Sequence, residues 1–154
     1  MKVRQYQWNR LMMTVAMVLP FNAVANETIH VALGDDSIRL DTDRARAGRV
    51  SFEVTNVARS GTVHEFVVLS TNIDESRLPV RNGQVVEGQL KKMGEVENVH
   101  NASSKRLSLN LRPGRYVLIC NMPGHYAMGM HKTLTVLPSS GHDAQAHEAS
   151  NEVK

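Results

Sequence analysis

Short stretches in which apolar and polar residues alternate, each ended by a turn signal, recur along most of this chain. Arg49-Val-Ser-Phe-Glu-Val-Thr-Asn56 is the clearest, with Val50, Phe52 and Val54 on one face. A period of two places alternate side chains on opposite faces of a strand, so one face of each such segment must be buried. Thr28–Leu33 runs into the turn Gly34-Asp35-Asp36, and Ser37–Leu40 follows, with a polar stretch ending at Gly48. Arg106–Leu111 alternates again, Pro113-Gly114 turns the chain, and Arg115–Cys120 and Lys132–Leu137 follow. Val63–Leu69 is nearly all apolar, which predicts a strand buried on both faces. Many short strands at close spacing predict an all-β fold, a sandwich or barrel, in one domain.

One segment departs from this rhythm. Thr71–Ser104 contains Pro79, Gly83, Gly88 and Gly94. It reads as a long, partly helical connection lying against the sandwich, with a short helix over Glu87–Met93. Functional insertion and plain packing loop are equal readings of it.

The two ends read as other than domain. Lys2, Arg4 and Arg10 precede the apolar run Leu11–Leu19, and Ala23-Val24-Ala25 is a small-x-small cleavage pattern. Residues 1–25 are therefore expected to be a secretory signal peptide, because a spanning helix needs roughly 20 apolar residues. Residues 26–138 are the expected domain. Residues 139–154 are polar, carry His142 and His147, and read as a disordered tail. The whole chain has 18 Lys+Arg against 15 Asp+Glu; the leader holds three of the bases and none of the acids, so cleavage leaves a neutral protein. No basic stripe remains to argue for nucleic acid.

Export sharpens the meaning of the single cysteine, Cys120. A lone thiol in an oxidising compartment makes no internal disulfide, and coordination to a metal protects it. Its neighbours favour that outcome. Cys120-Asn-Met-Pro-Gly-His125-Tyr-Ala-Met-Gly-Met130 gathers a thiolate, an imidazole and thioethers within eleven residues. These donors suit copper, and two histidines, one cysteine and a weak axial methionine make a blue-copper electron-transfer set. His64, which opens the most apolar strand, is the expected second imidazole, ahead of His30, His100 and His131. Met130 is preferred over Met128 as the axial donor by loop reach. Zinc is the alternative metal, disfavoured by the thioether. Copper-ligand cysteines of multicopper oxidases are flanked by histidines; here Ile119 and Asn121 flank it, and an enzyme is not expected.

Cys-x-x-Pro-Gly-His-x-x-x-Gly-Met after a strand, with His-Glu-Phe on an earlier one, resembles the cupredoxins. The likeness covers Thr28–Leu137 and is nearest to the exported single-domain bacterial members, which include azurin, rusticyanin and sulfocyanin-like proteins. It implies a Greek-key β-sandwich with one copper near one end, held by His64, Cys120, His125 and Met130. It also implies a periplasmic, monomeric one-electron carrier with no membrane span. A redox partner would dock transiently beside His125, on a patch of Met122, Pro123, Tyr126, Ala127 and Met128. Copper binding for tolerance or delivery is the alternative function. Two departures stand out. Azurin and plastocyanin have Asn after the upstream histidine, where this chain has Glu65, and a hydroxyl residue after the cysteine, where it has Asn121.

Overall fold

The computed structural model describes residues 26–139; the expected signal peptide and the tail histidines lie outside them. The strands are β1 (Asn26–Leu33), β2 (Ile38–Leu40), β3 (Arg44–Arg46), β4 (Gly48–Asn56), β5 (His64–Ser70), β6 (Val80–Arg81), β7 (Gln84–Val85), β8 (Lys91–Val99), β9 (Ser104–Leu111), β10 (Gly114–Ile119) and β11 (His131–Leu137). One sheet runs β2-β1-β4-β9 and the other β3-β11-β10-β5-β8; β6 and β7 form a separate hairpin. The chain crosses to the five-stranded sheet for β3 and back for β4, then changes sheet again between β4 and β5, between β8 and β9, and between β9 and β10. The expected Greek-key sandwich is the observed architecture.

The alternation sets the faces. Val50, Phe52, Val54 and Asn56 of β4 are buried while the residues between them are partly exposed. Val50, Phe52 and Val54 share one core cluster with Phe66 and Val68 of β5 and Leu118 and Cys120 of the β10 segment across the sandwich. Phe52 and Phe66 lie 5.3 Å apart, centroid to centroid, in a tilted contact. Gly94 of β8 lets the two sheet edges close, since a Cβ there would come within 2.8 Å of Leu109 on β9.

β5 is apolar on both faces for a reason visible in its packing. Phe66 and Val68 join the core between the sheets, while Val67 and Leu69 join a second cluster with Leu78, Val85, Val117, Ile119 and Tyr126. This second cluster lies on the outer face of the five-stranded sheet and is roofed by the segment after β5. The long connection is thus mainly extended. Its helical part is a single 3-10 turn, Glu87–Gln89, in place of a helix over Glu87–Met93. The residues from Lys91 on form nine-residue β8, paired with β5. Gly94 and the β-bulges between β5 and β8 obscure the strand pattern there.

Candidate metal centre

Each candidate donor has a clear structural origin. His64, Phe66 and Val68 share the inward face of β5, so sheet geometry aims His64 into the sandwich. Leu118 and Cys120 share the corresponding face at the end of β10. Beyond Cys120 the chain turns through Pro123 and Gly124, whose φ of 84° is left-handed and suited to glycine. The His125 amide bonds to the Met122 carbonyl at 3.0 Å, closing that turn and folding the ring back over the cysteine. Met130 returns to the strand. Its carbonyl accepts from the Cys120 amide at 3.0 Å, and its own amide donates to the His125 carbonyl at 3.2 Å.

Three donors converge. His64 Nδ1 lies 3.1 Å from His125 Nδ1 and 3.7 Å from Cys120 Sγ, and His125 Nδ1 lies 3.3 Å from that sulfur. A triangle with those sides has a point about 2.0 Å from all three corners, close to metal–imidazole bond lengths and slightly inside metal–thiolate ones. His64, Cys120 and Met130 are fully buried and His125 is half-buried, its ring edge-on to His64. Among the described residues this is the one group of three or more histidine, cysteine or carboxylate side chains close enough to hold a metal ion.

Burial tunes the protonation. It pushes both imidazoles down, His64 further through its neighbour His125, so both rings are held neutral with lone pairs available. Burial pushes the Cys120 thiol up, partly offset by the amides of Glu65 and Met122. A buried thiolate needs a cation beside it, which a metal supplies. Glu65 is half-buried, and burial together with the Glu87 carboxylate pushes it up.

Among the described residues, the other histidines lie elsewhere. His30 is exposed and pairs with Glu53 at 3.3 Å; His100 is exposed in its loop. His131 faces Glu75, 3.5 Å away, and Tyr126. Of the expected docking patch, Pro123, Ala127 and Met128 are exposed and Met122 is half-buried, but Tyr126 is not part of it. Tyr126 turns inward, 6% exposed, into the second apolar cluster.

Two asparagines escaped the sequence reading in different ways. Asn121, a departure from azurin and plastocyanin, bonds through its side chain to the β6–β7 hairpin and to Glu87 just beyond it. Its Oδ1 accepts from the Val85 amide at 2.6 Å, and its Nδ2 donates to the Val85 carbonyl and to Glu87 Oε1 at 2.7 Å. Asn56 lies outside every metal-ligand motif of the sequence. It is fully buried and donates to the carbonyls of Thr62 and Val99 at 2.7 and 2.8 Å, on either side of His64. A signal for it exists: it continues the inward register of Val50, Phe52 and Val54, so a polar side chain falls at a core position.

No family model matches the sequence, and no curated protein matches it. Solved structures do. Auracyanin B superposes with a TM-score of 0.54 at 20% identity, over 77% of this chain and 94% of its own. Auracyanin A, a "blue" copper protein from the green thermophilic photosynthetic bacterium Chloroflexus aurantiacus, gives 0.52 at 19%, over 73% and 100%. The azurin Az-iso2 from the obligate methylotroph Methylomonas sp. strain J gives 0.52 at 15%, over 71% and 97%. This chain has the cupredoxin fold.

Proposed function

We propose that His64, Cys120, His125 and Met130 hold one copper ion and that the protein is a one-electron carrier. The observation that carries this reading is the buried triangle of two Nδ1 atoms and one Sγ, sized for a single transition metal. The donor chemistry selects copper, because thiolate and thioether suit Cu(I) while imidazole suits Cu(II). Copper bound there supplies one reversible one-electron couple.

The chain's own residues do the rest. His64 and Cys120, anchored at the ends of two paired strand systems, fix the donor positions against rearrangement. The enclosing core excludes water from the sulfur. Met130, buried and tied by its backbone to both Cys120 and His125, would supply the fourth, thioether donor. Half-buried His125 is the route by which an electron reaches the surface, and exposed Pro123, Ala127 and Met128 surround it where a redox partner would dock. Residues 26–138 form the working domain, a monomer exported to the periplasm after loss of residues 1–25. Cys120 has no histidine beside it that could link it to further coppers, so a carrier fits better than an oxidase. Copper delivery is a second reading, favoured by Met128, a thioether 54% exposed near His125. Rapid loss of copper to a chelator would favour delivery; a stable potential with fast self-exchange favours the carrier.

The test is the absorption spectrum of the Cu(II)-loaded protein. An intense visible sulfur-to-copper band is expected, absent in Cys120→Ala. A colourless Cu(II) adduct of the unmodified protein overturns the assignment.

A further inference from the structure

The loop that carries three of the four donors receives its shape from outside the sandwich. Residues 74–87, between β5 and β8, touch it at two places. On the cysteine side, the hairpin β6–β7 meets residues 121–124. The Asn121 side chain pairs with Val85 like a neighbouring strand, Gln84 Nε2 donates to the Asn121 carbonyl at 2.8 Å, and the Gly124 amide donates to the Gly83 carbonyl at 2.8 Å. Contact there is tight, since a Cβ on Gly83 would lie 3.2 Å from the Gly124 nitrogen.

On the methionine side, the turn at residues 74–78 meets residues 126–133. Tyr126 is the buckle. Its hydroxyl donates to the Glu75 carbonyl at 2.7 Å and accepts from the Leu78 amide at 3.0 Å, while its ring packs beneath in the outer apolar cluster. The Glu75 carboxylate accepts from Thr133 Oγ1 and lies beside His131, the residue after Met130. Thr133 also accepts from Arg115 at 2.9 Å, and Arg115 donates to the Ile73 carbonyl, so the turn is fastened to β10 and β11 as well.

We propose that residues 74–87 are a brace that holds the loop 121–131 in its metal-binding shape before any metal is present, with Tyr126 as its principal positioning residue. This inference rests on the proposed metal site, but its physical content is the order of the metal-free loop. Two hydrogen bonds to a buried hydroxyl keep the loop's outer side closed; removing that hydroxyl leaves the Glu75 carbonyl and the Leu78 amide without this partner. Within the loop, the amides of Met128, Gly129 and Met130 bond only to carbonyls of residues 124–126. They therefore open when the brace releases Tyr126, without unfolding of the sheets.

The experiment is amide hydrogen exchange on the metal-free protein and on metal-free Tyr126→Phe. In the unmodified protein, Met128, Gly129 and Met130 are expected to be protected. In Tyr126→Phe their exchange should rise about tenfold, with strand amides such as Phe52 unchanged. The same variant, loaded with Cu(II), should show an altered ratio of its blue and violet bands. Loop amides unprotected in the metal-free unmodified protein, or exchanging equally in both proteins, overturn the brace. A missing visible band with the exchange difference intact overturns the copper assignment and leaves the brace standing.

Discussion

Asn56 and Asn121 are both buried, both make three side-chain hydrogen bonds to neighbouring segments, and each fastens one side of the metal centre. They differ in what they fasten it to. Asn56 ends β4 and bonds to Thr62, Val99 and Ala58, so every partner belongs to the sandwich or to turns at its end. Val99 is the register partner of His64, which makes Asn56 a tie between the two sheets at the level of the ligand. Asn121 bonds to Val85 and Glu87, on a hairpin and a 3-10 turn that lie outside both sheets. The His64 side is therefore held by elements that cannot move without unfolding the domain. The loop side is held by an accessory segment that can lift away on its own.

Asn56→Ala should break the comparison most visibly. It strands the Thr62 and Val99 carbonyls and the Ala58 amide, and water can reach few of them while the sandwich stays closed. A global loss of roughly 3 kcal/mol is expected, from about 1 to 3 kcal/mol per buried group left unpaired with partial relief by relaxation. Urea denaturation of the metal-free protein measures it through a lower midpoint at unchanged slope. A loss under 1 kcal/mol would show that Asn56 is incidental.

Asn121→Ala removes as many bonds but should cost less, about 1–2 kcal/mol. The hairpin can swing outward and give the Val85 backbone to water, so much of the penalty is relieved by local opening. The urea midpoint should fall less than in Asn56→Ala, while proteolysis within residues 79–86 should accelerate well beyond what the global change predicts. Equal midpoints for the two variants, with no new cleavage, would erase the proposed difference between the two sides.

The same contrast explains what could be read from sequence. His64 and Cys120 were legible because strand alternation fixes their faces: His64 shares a side with Phe66, and Cys120 with Leu118. The turn at Pro123-Gly124 was legible from its residue types. The brace was not. Tyr126 reads as a loop aromatic beside His125, and nothing in its neighbours shows that its hydroxyl meets Glu75 and Leu78, 51 and 48 residues away. The segment after β5 gave no period because short β6 and β7, a 3-10 turn and a bulged β8 follow one another without a repeat. β3 was missed for a related reason: only Ala45 of Arg44–Arg46 is buried, and three residues carry too little alternation to register.

The smallest expected effect concerns how the His64 side responds to pH. Asp35, in the β1–β2 turn, holds the approach to β5. Its carboxylate accepts from the amides of Ser60 and Arg59, at 3.0 and 3.2 Å, and from the Ser60 hydroxyl. Those bonds, with the Ser60 side chain foremost, hold it below the usual carboxylate range. A carboxyl whose folded pKa is depressed lends stability that is fully present above its unfolded value, near pH 4, and disappears as pH falls through the lower folded value. Asp35 is exposed, so solvent screens the effect and it stays small. The metal-free protein should therefore lose slightly more stability between neutral pH and pH 3 than Asp35→Asn does, measured by parallel urea titrations. Amides at 59–62 should open first on acidification, ahead of those in β6 and β7. Identical pH profiles for the two proteins would mean that the Asp35 carboxylate does not help to hold the approach to His64.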